Sequence, residues 1–237
     1  PDCKDTGYIG TKKCHCFKKA IVDLLYTQSN LQEILGKENF STCSLGFYSS
    51  NHIDPLTGRS SLEAIQTALK ACHEFIDTFS TEFQNILLYG DTGVGKTFLS
   101  HCIAKELIDA SFSVIYFTAT QLFDIFAESA FGRKDTKDSD ACEHLYDCDL
   151  LIIDDLGTEL PNSFTVSQLF ICLNERILRQ KSTIISTNLA LEDIKSIYSE
   201  RTFSRISSNY TILRLTGDDI RIQKKLLNLG GTKDVTP

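Results

Sequence analysis

The chain has 237 residues, 42% of them hydrophobic, and a formal net charge of −7. These values are typical of one globular domain, or of one domain with a small appendage. No apolar run is as long as a membrane span, and no signal peptide is visible, so we expect a cytoplasmic protein without a membrane partner. The negative charge argues against nonspecific coating of nucleic acid, but it is compatible with a local basic site.

The first twenty residues contain three of the nine cysteines, namely Cys3, Cys14 and Cys16. Neighbouring glycines and lysines suit a two-stranded knuckle. Structural zinc usually takes four ligands, and here the fourth would be His15 or a cysteine preceding Pro1. We interpret this segment as a truncated zinc knuckle, with reduced cysteines in a flexible terminus as the alternative.

Two helices are predicted before the first buried strand. Apolar residues recur at helical spacing over residues 17–37 and again over residues 61–79. The intervening residues 38–60 contain Asn, Ser, Pro and Gly, which indicates an irregular linker.

The strongest signal is a glycine-rich segment between a predicted strand, Ile86 to Tyr89, and a predicted helix. Its pattern is typical of a phosphate-binding loop, in which glycines let backbone N–H groups point at phosphates. Lys96 would reach the β- and γ-phosphates, and the Thr97 hydroxyl would ligate Mg²⁺. An ordinary turn is the alternative, but the complete motif in this context disfavours it. The nucleotide-binding residues are predicted to be Gly90, Asp91, Thr92, Gly93, Val94, Gly95, Lys96, Thr97 and Phe98.

The remaining chain alternates predicted strands with predicted helices. Further strands are expected at residues 113–118, 148–155, 182–187 and 210–215, and helices at 119–130, 164–179 and 218–229, with a polar loop over 131–140. This order predicts an α/β fold with a parallel five-stranded sheet flanked by helices. Ligands in such sheets bind at the carboxyl ends of the strands.

Polar residues follow two of these buried strands. Asp154 and Asp155 come after an apolar run, and Asn188 ends the next strand. Asp154 would hold Mg²⁺ together with Thr97, Asp155 would polarise the attacking water, and Asn188 would hold that water near the γ-phosphate. Helix caps and turn residues are the alternative roles for such side chains.

Three arginines complete the candidate site. Arg201 and Arg205 are four residues apart on a predicted helix, and Arg221 starts the last helix. Solvated surface arginines are the alternative for the first two. In an oligomeric ATPase, one such arginine entering the neighbouring site can be worth roughly 10³–10⁵ in rate.

These motifs together resemble the bacterial replicative-helicase loaders of the DnaC/DnaI type and the related IstB-type transposition helper ATPases, both members of the AAA+ class. The resemblance covers about residues 62–230, and the cysteine-rich start is similar to the zinc region of the DnaI-type loaders. The most specific segments are residues 90–97, 150–157, 186–188, 200–205 and 219–221.

The resemblance implies a P-loop AAA+ domain over residues 61–237, preceded by a cysteine-rich, helical partner-binding region over 1–60. Arg201 would be the arginine that acts on the site of a neighbouring subunit, with Arg205 as its substitute. Asn188 would be the first sensor residue, and Arg221 would be the second and would bind nucleotide. It further implies a Mg²⁺-dependent, ATP-dependent oligomer that binds the replicative helicase and single-stranded DNA. Hydrolysis would be slow and stimulated by assembly, since Asp155 stands where many AAA+ enzymes have Glu.

Single-stranded DNA in a central channel would contact aromatic and basic side chains. The candidates are Phe164, Arg133 and Lys134. A core position for Phe164 and an exposed polar loop for the two basic residues are the alternatives.

Three other functions are open to this sequence. A transposition helper would bind duplex DNA and a transposase, although the cysteine-rich start counts against it. A small-molecule kinase would need an acceptor pocket and a lid, and a non-catalytic adaptor would bind ATP without hydrolysis.

Overall fold

The computed structural model describes residues 3–4, 6–10, 12–14, 16–17, 20, 29–51, 53–131 and 138–230. The candidate residues His15, Arg133 and Lys134 lie outside this part of the chain. Within it, no helix is both long and apolar enough to cross a membrane.

Five parallel strands form the central sheet, as the sequence predicted. They are β3 (Ile86–Gly90), β4 (Val114–Thr118), β5 (Leu150–Leu156), β6 (Ser182–Thr187) and β7 (Thr211–Leu215). Their spatial order is β4-β5-β6-β3-β7, so the strand before the glycine-rich loop lies between β6 and β7. The carboxyl end of β3 therefore lies beside that of β6, with β5 next along the sheet.

Eight α-helices whose bounds are described pack around the sheet. They are α1 (Ser29–Lys37), α2 (Ser61–Thr78), α3 (Lys96–Asp109), α4 (Ala119–Phe131), α5 (Asp138–Asp147), α6 (Ser163–Leu178), α7 (Leu191–Asn209) and α8 (Ile220–Gly230).

The sheet is buried on both faces, because alternate residues of each central strand enter different cores. In β5, Leu151 and Ile153 pack with α4, α6 and α7, whereas Leu150 and Ile152 pack with α1, α2 and α3. All four side chains are fully buried. This two-sided burial explains why the strands read as continuous apolar runs rather than as alternating ones.

One predicted element differs from the structure, and another is described only in part. Of the helix predicted over 17–37, the continuous part described is α1, from Ser29 to Lys37, and residues 18–19 and 21–28 fall outside the described chain. The polar loop predicted over 131–140 is wrong at both ends, because α4 includes Phe131 and α5 begins at Asp138. Acidic residues at the start of α5 suit a helix N-terminus, and Leu145 is buried in the core.

The predicted N-terminal knuckle is present as a short antiparallel hairpin. Its strands are β1 (Tyr8–Ile9) and β2 (Lys12–Lys13). The sulfur atoms of Cys3, Cys14 and Cys16 all lie within 4.8 Å of one another beside it.

Candidate nucleotide site

The loop between β3 and α3 depends on glycine at its tightest points. Gly90 has φ of 135°, and a Cβ atom there would lie 1.9 Å from the carbonyl oxygen of Leu215 on the adjacent strand. Gly95 has φ of 104° and immediately precedes the first residue of α3. A side chain would be strained at both positions. The N–H groups of the first turn of α3 lack partners within the helix, which makes this a suitable place for phosphate.

Lys96 joins this loop to the end of β6. Its Nζ donates hydrogen bonds to the carbonyl oxygens of Gly90 and Asp91, at 2.7 and 2.6 Å, and to Oδ1 of Asn188 at 2.7 Å. Burial lowers the pKa of Lys96, and the negative charges of Asp155 and Asp91 oppose that effect. All three donors of the ammonium group are thus used by oxygen atoms around the cavity.

The Thr97 hydroxyl and the Asp154 carboxylate lie in contact at the base of the cavity. The hydroxyl oxygen is 3.2 and 3.1 Å from the two carboxylate oxygens. Asp154 also accepts hydrogen bonds from Tyr116, at 2.5 Å, and from Ser186. Hydroxyl and carboxylate oxygens are the hard ligands that Mg²⁺ prefers, so this donor set fits that ion.

Asp155 adopts a left-handed conformation, with φ of 54°, and its backbone N–H donates to the Ser186 hydroxyl at 3.0 Å. Its side chain is half-buried on the cavity wall. Burial raises the pKa of Asp155, and the adjacent negative charge of Asp154 raises it further. The carboxylate therefore holds a proton more readily than an ordinary aspartate does.

Arg221 is held beside the glycine-rich loop by its neighbour Asp219. Arg221 donates to the two Asp219 carboxylate oxygens from Nε and Nη2, at 3.2 and 2.9 Å. The Asp219 carboxylate is close to Gly93, where a Cβ atom would lie 2.1 Å from its Cγ. Arg221 is exposed and also lines the cavity.

The cavity encloses about 380 Å³ and collects most of the predicted nucleotide-site residues. Those on its wall are Thr92, Gly93, Gly95, Lys96, Thr97, Phe98, Asp154, Asp155, Asn188 and Arg221. Gly90, Asp91 and Val94 shape the loop behind that wall.

Sequence reasoning missed the part of the cavity wall that residues 38–48 of the predicted linker provide, called the linker wall below. Glu38, Phe47 and Tyr48 line the cavity. The Tyr48 hydroxyl donates to the Val94 carbonyl at 3.0 Å, and Gln223 of α8 donates to the Phe47 carbonyl at 3.2 Å. The linker thus connects the glycine-rich loop with α8. The adjacent aromatic residues Phe47 and Tyr48 in an otherwise polar segment could have indicated that this segment packs on the domain.

A second contact fastens the same segment to α3. Nδ1 of His101, a buried residue, lies 2.6 Å from Oε2 of Glu38. The His101 ring packs on the ring of Tyr116 at 5.0 Å between centroids, and Tyr116 in turn donates to Asp154. Burial is the main cause that raises the pKa of Tyr116, so its hydroxyl keeps its proton. A short path of contacts therefore links Glu38 to the proposed metal ligand.

Arg201 and Arg205 do not line the cavity of their own subunit. Both are exposed on α7, and Nε of Arg205 donates to Oδ1 of Asn174 at 3.1 Å. Phe164 is half-buried at the start of α6, with its ring 5.1 Å from that of the exposed Phe131.

A family model for the IstB-like ATP binding protein matches residues 59–228. The chain is 31% identical over 147 residues to the chromosomal replication initiator protein DnaA of Zymomonas mobilis, matching 61% of this chain and 30% of that protein. It is 23% identical over 180 residues to the replicative helicase loader DnaC of Buchnera aphidicola, matching 74% of this chain and 69% of the loader. The chain thus spans under a third of the first of these relatives.

Among solved structures, a replication initiator DnaA bound to AMPPCP and single-stranded DNA has a similar fold. The TM-score is 0.58 with 22% identity, over 70% of this chain and 51% of that chain. The parallel sheet, the glycine-rich loop and the family match over residues 59–228 all indicate a P-loop ATP-binding domain. The chain belongs to the family of IstB-like ATP binding proteins, P-loop proteins of the AAA+ class that resemble the DnaC-type helicase loaders.

Proposed function

We propose that this protein is a Mg²⁺-dependent ATPase that loads the replicative helicase onto single-stranded DNA in the cytoplasm. The observation that carries the ATPase part is the contact between Thr97 and Asp154 beside the Lys96 ammonium group. Bound Mg²⁺ would neutralise charge on the β- and γ-phosphates. Lys96 would exchange its carbonyl partners for phosphate oxygens while remaining near Asn188.

The residues around the expected γ-phosphate position would activate the attacking water and contact the phosphates. Asp155 is the candidate to orient and deprotonate the attacking water, with Asn188 holding the same water from the end of β6. Arg221 would contact the phosphates of its own subunit once released from Asp219. Arg201, exposed on α7, would reach the site of an adjacent copy, with Arg205 as the second candidate.

The adenine end of the nucleotide has a suitable place against the linker wall. Phe47 and Tyr48 supply aromatic surface on the wall of the same cavity as the proposed metal ligands. Burial raises the pKa of Tyr48, so its hydroxyl stays protonated as a donor to the Val94 carbonyl. Nucleotide binding would therefore stabilise the contact between residues 38–48 and the ATPase domain.

The loader assignment is supported by the likeness to the Buchnera DnaC and to a DnaA structure with single-stranded DNA. Residues 1–60 would bind the helicase, and residues 61–237 would bind ATP and DNA. Phe164, next to the exposed Phe131, would stack on a base, with Arg133 and Lys134 as phosphate contacts. The three clustered sulfurs of Cys3, Cys14 and Cys16 would hold zinc with a fourth ligand.

The test is complex formation with the helicase of the host. The intact protein is mixed with the ring-shaped helicase, and the mass is measured by light scattering with and without ATP. We expect a defined complex that is lost when residues 1–60 are removed. If no complex forms under any nucleotide condition while ATP is hydrolysed, the loader assignment is wrong and the ATPase assignment stands.

The IstB-like family match favours one alternative, a transposition helper that binds duplex DNA and a transposase. Competition between fluorescent single-stranded and duplex DNA of equal length discriminates the two functions. Tighter binding of the duplex would favour the transposition helper.

A further inference from the structure

A buried carboxylate, Glu159, lies between the acid pair and the arginine-bearing helix. It is 8% exposed. Its Oε2 accepts a hydrogen bond from the Gly157 N–H at 3.0 Å, and its Oε1 accepts one from the hydroxyl of Tyr198 on α7. Tyr198 is completely buried. A buried charge is costly unless it is hydrogen-bonded, so both donors are needed to keep Glu159 in place.

The tyrosine immediately precedes a break in α7. Ser199 has φ of 81° and ψ of 156°, which is not helical and is strained for any residue other than glycine. The Ser199 hydroxyl lies 3.4 Å from that of the buried Thr202. The break divides α7 in two, and the second part carries Arg201 and Arg205. Its direction therefore depends on how Tyr198 and Ser199 are held.

The other end of this contact is fixed to the site. Gly157 is two residues after Asp155, and a Cβ atom there would lie 2.7 Å from Cδ1 of Leu189. The Leu189 N–H donates to the Thr187 hydroxyl, which donates to the Leu156 carbonyl at 2.6 Å. The loop after the acid pair is thus bound to the loop after β6, which gives Glu159 a rigid base.

We propose that Glu159 and Tyr198 are positioning residues that hold the break at Ser199 and so aim Arg201 at the nucleotide site of a neighbouring copy. The inference rests on the proposed function, because it requires an arginine that acts in trans. Glu159 connects the acid loop to α7, and Tyr198 transmits that fixed position to the arginine-bearing part of the helix. Neither residue touches the cavity, so each would act through Arg201.

Mixed oligomers test the proposal. One subunit carries Asp155→Asn, which keeps its arginines but has an inactive site. The other carries Arg201→Ala and Arg205→Ala, which keeps its site but has no arginine to supply. We expect each variant to be nearly inactive alone and the mixture to regain hydrolysis. Tyr198→Phe, which removes only the hydroxyl, is then placed in either subunit.

The subunit in which Tyr198→Phe lowers the rate tests the proposal. In the arginine-supplying subunit, Tyr198→Phe should lower the regained rate about tenfold or more, since misplacing a reacting group by about 1 Å can cost roughly a hundredfold. In the site-supplying subunit it should have little effect. Glu159→Gln should repeat the pattern. Tyr146→Phe, a half-buried tyrosine on α5, is the matched control and should leave both mixtures unchanged. ATP affinity and the thermal midpoint are measured for every variant.

Other results would overturn the inference in distinguishable ways. An equal loss of rate with the substitution in either subunit, or a loss confined to the site-supplying subunit, would show a different role. Glu159 and Tyr198 would then support the loop after Asp155 in their own subunit. Full activity in both positions would show that the pair has no positioning role. If the mixture with intact Tyr198 regains no hydrolysis, the trans-acting arginine of the proposed function is refuted as well.

Discussion

The Thr97 hydroxyl lies 3.1 Å from Oδ2 of Asp154, which joins the first turn of α3 to the end of β5. These residues are 57 positions apart in the chain. The contact exists because β3 and β5 both lie beside β6, so their carboxyl ends open on the same edge of the sheet. It brings two oxygen ligands of the kind that Mg²⁺ uses to within one coordination sphere.

Asp154→Asn should therefore raise the Mg²⁺ concentration needed for half-maximal hydrolysis by roughly tenfold to a hundredfold. The amide keeps the size of the side chain but removes the negative charge that attracts the cation. The measurement is the hydrolysis rate as a function of Mg²⁺ concentration at saturating ATP. Asp124→Asn, at an exposed position of α4, is the control. An unchanged Mg²⁺ dependence in Asp154→Asn would contradict the assignment.

Asp155→Asn should lower the rate of ATP hydrolysis by about 10²-fold or more. ATP binding should be retained, because the substitution removes the candidate base and leaves the phosphate contacts. In the wild type, hydrolysis at subsaturating ATP, which reports the free protein, should fall as pH is lowered through the raised pKa of Asp155, since the protonated carboxyl cannot accept the proton of water. Rates from pH 4 to pH 8 and binding of a fluorescent ATP analogue check both expectations. Loss of binding together with activity would contradict them.

The same pKa shift predicts a stability effect. Because the folded protein binds the Asp155 proton more tightly than the unfolded chain, the carboxyl favours folding at low pH, and this contribution is lost as pH rises through the folded pKa. The thermal midpoint of Asp155→Asn should therefore match the wild type at low pH and exceed it at neutral pH. A difference that is constant across this pH range would be evidence against the shift.

Glu38→Gln should weaken ATP binding by about fivefold, equivalent to about 1 kcal/mol for a partly exposed charge-assisted hydrogen bond. The Glu38 contact with buried His101 holds the linker wall of the cavity against α3. Titration of a fluorescent ATP analogue measures the affinity. Glu33→Gln is the matched control, because that glutamate pairs with Lys37 on the exposed side of α1. Unchanged affinity in Glu38→Gln, or an equal loss in both variants, would contradict a role for this contact in nucleotide binding.

Arg201→Ala should lower the hydrolysis rate of the assembled protein by roughly 10³-fold with ATP affinity preserved. Arg205→Ala should have a smaller effect, since Arg205 is engaged by Asn174 in its own subunit. Lys70→Ala, at an exposed position of α2, serves as the control. Rates measured over a range of protein concentrations separate assembly from catalysis. A larger loss of hydrolysis rate in Arg205→Ala than in Arg201→Ala would instead make Arg205 the trans-acting arginine.

Purified protein should contain about one zinc ion per chain, and Cys14→Ser should lose it. Cys14 is buried and its sulfur belongs to the three-sulfur cluster, whereas Cys43, the control position, lies on the wall of the nucleotide cavity. Elemental analysis of protein expressed with added zinc provides the measurement. Zinc-free wild-type protein under those conditions would support reduced cysteines instead.

Much of the fold was predictable because it depends on short-range patterns. The apolar runs of β5 and β6 identify strands buried on both faces, and the glycines and Lys96 of the loop define a phosphate site through backbone geometry alone. Asp154, Asp155 and Asn188 could be assigned to the same edge because parallel strands present their carboxyl ends together. The whole of α5, Asp138–Asp147, was missed, because its polar first half resembles a continuation of the preceding loop.

The sequence by itself determined the chemistry of the phosphate loop and the parallel sheet, since both follow from residue types at fixed local spacing. Tertiary structure alone decided that Glu38, Phe47 and Tyr48 close the cavity, because contacts over long sequence separations leave no periodic signal. It alone also showed that Glu159 meets Tyr198 across 39 residues, beside a break in α7 that no local pattern announces. Packing between elements brings such pairs together, and packing is a property of the folded chain.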